Sequence, residues 1–514
     1  MTNLLHQAHR RSFAPSAPSP TTARSGLPAA AGTLLVTVGW ALLAAWWTPR
    51  GPVTTVQAVT TIAVSLGVGA LAGWWLRSRW AMLATPVAFA IVFEVARVGT
   101  DGPLVDGIRL SGTFGVLAFL LGRGLHAVLA LAPMILGAVL GAALARRREN
   151  RPAAHGRRRA GLVVRRATTG VTVLALLALT AGLSRPAGTD ALVTDTGSPV
   201  QGSVAELTSV PIGGHDQTLM IRGDSTSNPV LLFLAGGPGG TELGALRRHG
   251  QALEKDFLVV TWDQRGTGKS SDALEPTATL TLQQAVTDTT EVSNYLRGRF
   301  GQDKIYLLGQ SWGTILGVLA AQQHPELYRA YIGVGQMVDP RETDEVFYQD
   351  TLAWARNTNK TGLVDQLTTA GPPPYTDMLD YEPVLTNDSL VYPYDHTHNS
   401  EGAGGFSTNL FVNEYTLMDQ LHAFAGFFDV FTVLYPQLQN LDLRRDATRL
   451  RVPVYLVEGR FEAPGRLGPA TQWFSLLDAP AKHLVTFDTS GHRALFEQPE
   501  LFQQLMTDTV LAQT

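Results

Sequence analysis

The chain has 514 residues, with 40 Lys and Arg against 43 Asp and Glu, and a formal net charge of −3. That balance gives no case for nucleic acid as a partner. The absence of cysteine excludes disulfides, cysteine-ligated zinc and a thiolate nucleophile. The length exceeds one ordinary domain, so two or more are expected.

Charge is unevenly placed: the first 170 residues carry much arginine and little acid. Long apolar stretches lie near 31–47, 54–76, 80–98, 122–145 and 167–183. Each has about the 17–25 residues that a helix needs to cross the hydrocarbon core. They are apolar nearly all round, whereas a helix on a soluble protein shows a polar face. Basic loops alternate with poor ones. The tail, 1–30, has Arg10, Arg11 and Arg24, the second short loop has Arg77 and Arg79, and nine arginines stand between Arg146 and Arg166 against Glu149 alone. Loops 48–53 and 99–112 hold one arginine each, Arg50 and Arg109. This alternation predicts about five crossings, with a cytoplasmic tail and everything after Leu183 outside a cell membrane. Segment 113–145, with Arg123 and His126, reads either as one tilted span or as an interfacial piece followed by a span. Glu94 falls within a span, where an ionisable group is costly; it reads either as a partner of Arg123 or as a helix-end glutamate at the interface.

Residues 184–203 are rich in Gly, Pro, Ser, Thr and Asp and read as a flexible linker. After them, short apolar runs alternate with helical stretches, which predicts a mostly parallel sheet flanked by helices. Strands are expected at 217–222, 229–234, 256–262, 304–309, 329–335, 453–458 and 483–488. Helices are expected at 241–253, 282–298, 312–323, 466–477 and 495–512. The core is thus expected in two parts, 204–339 and 451–514. Between them, 340–450 loses the alternation and reads as a helical lid over the carboxyl ends of the strands, where ligands bind in such sheets.

Chemistry concentrates in three loops. Gly309-Gln310-Ser311-Trp312-Gly313 follows an apolar run and precedes a helix former, the setting of a strained turn that projects a serine hydroxyl. A serine needs a neighbouring base. His492, in Thr489-Ser490-Gly491-His492 after the last expected strand, is the expected base. The acid is expected after the strand centred on Val454–Val457, as Glu462, with Glu458 second. An oxyanion is expected to meet the amide of Trp312 and that of Gly237 or Gly236, in Ala235-Gly236-Gly237-Pro238-Gly239-Gly240. Asp263-Gln264-Arg265-Gly266-Thr267-Gly268-Lys269-Ser270 ends like a phosphate loop, but Asp263 stands where that motif needs glycine, so a nucleotide-binding reading is rejected.

Together these motifs resemble the proline iminopeptidase-like branch of the α/β-hydrolases, over roughly residues 204–514. The resemblance implies an α/β-hydrolase fold, release of an N-terminal residue from a small peptide, no metal and no other cofactor. Ala235 replaces that group's histidine, and Glu462 stands where Asp is usual. The resemblance also implies lid acids that hold a substrate ammonium, for which Glu345, Glu414 and Asp419 are candidates. Three functions follow: a membrane-anchored aminopeptidase, an esterase or lactonase on the same scaffold, and a non-catalytic receptor. Their partners are a small peptide or ester and the lipid bilayer.

Overall fold

The computed structural model describes residues 26–78, 80–148, 159–194, 196–398 and 406–514. Most of the expected cytoplasmic tail, Arg79 and the middle of the basic loop around Arg151, Arg157 and Arg158 lie outside the described residues. Packing divides the chain into two units. The first comprises 1–47, 61–96 and 129–173; the second comprises 48–60, 97–128 and 174–514.

The first unit is helical. Helices Leu27–Trp47, Thr55–Leu76, Thr113–Arg148 and Arg166–Leu183 are long and apolar enough to cross a bilayer, Ala81–Ala96 is shorter, and the unit takes from them only the residues within its bounds. The 113–148 segment is one continuous helix, widened to π geometry at Leu120–Gly124 and Ala127–Leu131. Within this unit, Trp40, Ala44, Phe89, Phe93 and Met134 form a buried cluster, with Phe89 and Phe93 stacked at 5.5 Å. Large apolar side chains also face outward: Leu35 is 75% exposed and Trp46 78%. Two glycine pairs spaced four apart draw helices together. A Cβ on Gly69 or Gly73 would strike the backbone of Met134 or Ala138, and one on Gly137 or Gly141 that of Leu66 or Ala70. Small residues at that spacing let helix backbones touch.

The second unit is built on an eight-stranded sheet: β1 Val204–Ile212, β2 His215–Gly223, β3 Val230–Leu234, β4 Leu258–Trp262, β5 Ile305–Gln310, β6 Tyr328–Val334, β7 Val454–Gly459 and β8 Lys482–Phe487. The order is β1-β2-β4-β3-β5-β6-β7-β8. Pairings β1–β2 and β2–β4 are antiparallel, and the others are parallel. The sheet is therefore mixed. Strand β1 was not expected: its Glu, Thr, Ser and Pro give no apolar run, and it gains its partner through the tight Gly213-Gly214 turn, where both residues have positive φ. Central strands alternate between two cores. Leu232, Leu234 and Val260 face one, and Leu231, Phe233 and Val259 face the other, all buried. Each such side chain contributes about 2 kcal/mol of transfer free energy.

Residues 340–450 lie between β6 and β7 and form the cap. Its helix Leu417–Leu434 begins with a capping box between Thr416 and Asp419, and buries Phe428 and Phe431. The cap is not made from this insertion alone. Within the second unit, Phe114 packs edge-on against Phe427 and Phe428, at 6.3 and 5.4 Å between centroids. Glu382 accepts the amides of Thr113 and Phe114, Arg109 pairs with Asp377 and Asp380, and Arg50 pairs with Glu275. Leu104, Ala118 and Leu121 belong to the same core as the sheet. The segment expected to be a flexible linker is also pinned. Gly188 donates to the Asn413 carbonyl, Thr189 to Glu414, and Arg222 to the Asp190 carbonyl.

Candidate active site

Strand β5 delivers Ser311 to a turn that opens directly into helix Trp312–Gln323. Ser311 has φ 52° and ψ −119°, an uncommon backbone for a residue with a Cβ. The flanking glycines permit it. A Cβ on Gly313 would strike the carbonyls of Leu234 and Ala235, and one on Gly309 would meet that of Gly313. The Ser311 amide donates to the Val334 carbonyl at 3.0 Å. Its hydroxyl is directed at Met337 Sδ, 3.6 Å away, and makes no hydrogen bond to a histidine among the described residues.

His492 lies on the loop after β8, with Nδ1 2.5 Å from Glu462 Oε2. Its carbonyl accepts from Gln310, the residue before the serine, at 3.1 Å. Gly335, directly after Val334, lies against the imidazole: a Cβ there would come within 2.8 Å of Nδ1. The serine amide and the imidazole thus pack on adjoining residues of the β6 turn. With Nδ1 donating to a carboxylate, Nε2 is the nitrogen left basic. Burial pushes the Glu462 carboxyl up, but the charges of His492 and Arg466 outweigh it and hold it at about 2. Glu458, the second-choice acid, accepts the Gln336 amide at 3.0 Å. Burial and neighbouring Glu462 push its carboxyl well above the usual range.

Between the two expected glycine donors the structure discriminates. The Gly236 amide is occupied, donating to Glu242 Oε2 at 2.9 Å. The Gly237 amide has no acceptor among the described residues, and Trp312 stands first in its helix, where an amide has no intrahelical partner. Gln264, from the loop whose nucleotide reading was rejected, ties these parts together. It accepts from the Trp312 indole at 3.0 Å and donates to the Ala235 carbonyl at 3.3 Å. Asp263 and Arg265 brace the same loop: Asp263 accepts from Thr241, Tyr415 and the Lys269 amide, and Arg265 forms a buried ion pair with Asp288.

The three lid acids are not brought to this place. Glu345 is exposed on helix Pro340–Asn357. Glu414 is buried against Arg247 and Thr189, and Asp419 is taken up by Lys269 and by capping its own helix. A cap acid linked to the imidazole through Tyr394 is Asp388, which the sequence did not single out. It accepts from Tyr394 at 2.9 Å, while Tyr394 lies 6.2 Å from the His492 ring and receives a hydrogen bond from Arg466 at 3.1 Å. Burial raises the Asp388 carboxyl against the pull of Arg466, Tyr394 and His492. Arg466 also meets Glu462 at 3.3 Å from four positions along, a spacing that could have been read from the sequence.

A family model for the alpha/beta hydrolase fold matches residues 229–372. The chain is 30% identical over 320 residues to the probable aminopeptidase YbaC of Bacillus subtilis strain 168, spanning 60% of this chain and 97% of that protein. It is 24% identical over 313 residues to the proline iminopeptidase of Lactobacillus delbrueckii subsp. bulgaricus, spanning 59% of this chain and 97% of that one. A crystal structure of the proline iminopeptidase of Mycobacterium smegmatis aligns with 60% of this chain and 98% of its own, at 20% identity and a TM-score of 0.44. The chain therefore belongs to the α/β-hydrolase family, and it is a hydrolase.

Proposed function

We propose that the chain is a membrane-anchored serine hydrolase that works through Ser311, His492 and Glu462 and releases N-terminal residues from small peptides. The observation that carries this reading is the 2.5 Å His492–Glu462 contact beside the strained turn that presents Ser311. Ser311 Oγ leaves Met337 and attacks the substrate carbonyl carbon as Nε2 of His492 takes its proton. Glu462 holds the tautomer and stabilises the imidazolium. The oxyanion meets the amides of Gly237 and Trp312. Collapse of the tetrahedral adduct expels the amine with the proton from Nε2 and leaves an ester on Ser311. Water, deprotonated by the same nitrogen, then hydrolyses it.

The names of the similar proteins favour a peptide substrate, and Asp388 supplies a carboxylate near the imidazole for a substrate ammonium. The long apolar N-terminal helices support an anchor, and the loop arginines favour a multi-pass protein with its hydrolase unit outside the cell. A second reading, an esterase or lactonase, is favoured by Ala235, which removes the imidazole of the resembling motif. A panel of aminoacyl amides and acyl esters separates the two. Cleavage of aminoacyl amides, lost on Ser311→Ala, is expected. Hydrolysis of esters alone would reject the peptidase reading.

A further inference from the structure

Two loops from opposite ends of the hydrolase sequence have to be held in register, one carrying the Gly237 amide and the other carrying His492. A single buried carboxylate joins them. Glu242 Oε2 accepts the Gly236 amide at 2.9 Å, and its Oε1 accepts from Arg493, the residue after His492, at 2.5 Å. The far side of the histidine loop is fixed separately. Glu497 accepts the amides of Gly491 and Arg493 at 2.6 and 3.2 Å, one on each side of His492. The Arg493 guanidinium lies over the Phe496 ring at 4.8 Å.

Resting on the Ser311–His492 reading above, we propose that Glu242 and Arg493 are a positioning pair that sets the oxyanion loop against the base. Neither touches the reacting atoms. Their arrangement has an electrostatic consequence. Glu242 is bonded to the amide directly before the Gly237 donor, so an uncompensated carboxylate there would repel the negative charge that forms on the substrate oxygen. Arg493 removes that repulsion while its guanidinium ties Glu242 to the histidine loop. Glu242 also occupies the Gly236 amide, which is why one glycine of the pair, Gly237, is left for the oxyanion.

The pair makes a prediction that a purely structural contact does not: removing both charges harms less than removing one. In the full-length chain in lipid nanodiscs, Arg493→Gln is expected to lower kcat about 100-fold, the scale of losing an oxyanion donor, with KM within about threefold. The double variant Glu242→Gln/Arg493→Gln is expected within about tenfold of wild type, because a neutral amide oxygen still accepts from Gly236. A double variant as slow as Arg493→Gln, or a loss confined to KM, overturns the pair. An unpaired buried carboxylate is costly to the fold, so if Arg493→Gln does not fold, Glu242→Leu/Arg493→Leu replaces it. That variant lacks both charges and the acceptor, and is expected about 30-fold below the Gln/Gln variant; equal kcat values overturn the pair. A fluorophosphonate probe guards the underlying assignment. If wild type is not labelled, or labelling survives Ser311→Ala, the serine mechanism fails, and not the pairing of these two loops.

Discussion

Glycine does comparable steric work in the two units, but against different neighbours. In the first, Gly73 and Gly141 let helices touch backbone to backbone, while large residues such as Leu35 and Trp46 face outward. In the second, Gly309 and Gly313 let a strand, a turn and a helix close around Ser311, and the apolar side chains of the central strands face inward. The first pattern suits a surrounding that rewards close van der Waals contact; the second suits one that drives apolar surface together. Two segments from among the apolar helices follow the second pattern. Residues 48–60 and 97–128 pack with the hydrolase, although they lie in sequence among the apolar helices. Packing and sequence therefore place the boundary of the hydrolase differently, and its cap includes residues that precede the linker.

The largest expected effect confines itself to chemistry. Glu462→Gln keeps the shape of the side chain but cannot hold the imidazole tautomer, so kcat is expected to fall on the order of 10⁴-fold, with secondary structure unchanged by circular dichroism. A loss below tenfold would remove Glu462 from the proposed triad. The pH dependence has a definite sign. The carboxyl is held at about 2, below its ordinary value of 4.5, so its contribution to stability is full above about 4.5 and is lost as pH falls toward 2. The stability gap between wild type and Glu462→Gln should narrow over that window. Gly73→Leu tests the other unit. The new side chain has to displace the Ala138 backbone, which is expected to cost about 3 kcal/mol or more in the apolar unit. Thermal unfolding should resolve that loss while turnover per folded hydrolase unit stays within about twofold. Turnover falling in parallel would show that the two units are not separable as their packing suggests.

Much of the hydrolase was legible because local signals and tertiary demands agree there. The helix expected at 312–323 is the one observed, since a strained serine and flanking glycines fix its start. Seven strands were expected within two residues of their observed bounds, and the central ones, β3, β4, β5 and β7, are runs buried on both faces. What failed to show was relational. Strand β1 is polar and is defined by its hairpin partner. Glu345, Glu414 and Asp419 were plausible as acids in a lid, but whether an acid faces a site depends on which cation reaches it first. Arg247 and Lys269 reached two of them. Glu242 carried no motif, since its function arises from a residue at the far end of the domain. The glycine pairs of the helical unit were readable in spacing, yet only the crossing of two particular helices gives that spacing a purpose.

The docking of residues 97–128 on the cap combines an apolar and an ionic contact, and the two should respond differently. Phe114 is half-buried against Phe427 and Phe428, so Phe114→Ala is expected to weaken the docking by about 2 kcal/mol, little changed by salt. Arg109 is half exposed and meets Asp377 at 3.0 Å and Asp380 at 2.9 Å. Exposed pairs are worth less than about 1 kcal/mol and are screened, because water already solvates both charges and the Debye length falls to about 3 Å at 1 M salt. Arg109→Ala should therefore have the smaller effect, and none at 1 M NaCl. Hydrogen exchange of helix Leu417–Leu434 reads both. Faster exchange in Phe114→Ala at every salt concentration, and in Arg109→Ala at low salt alone, is the expected pair of results. If neither variant changes exchange there, residues 97–128 rest on the cap without holding it, and the hydrolase boundary returns to the linker.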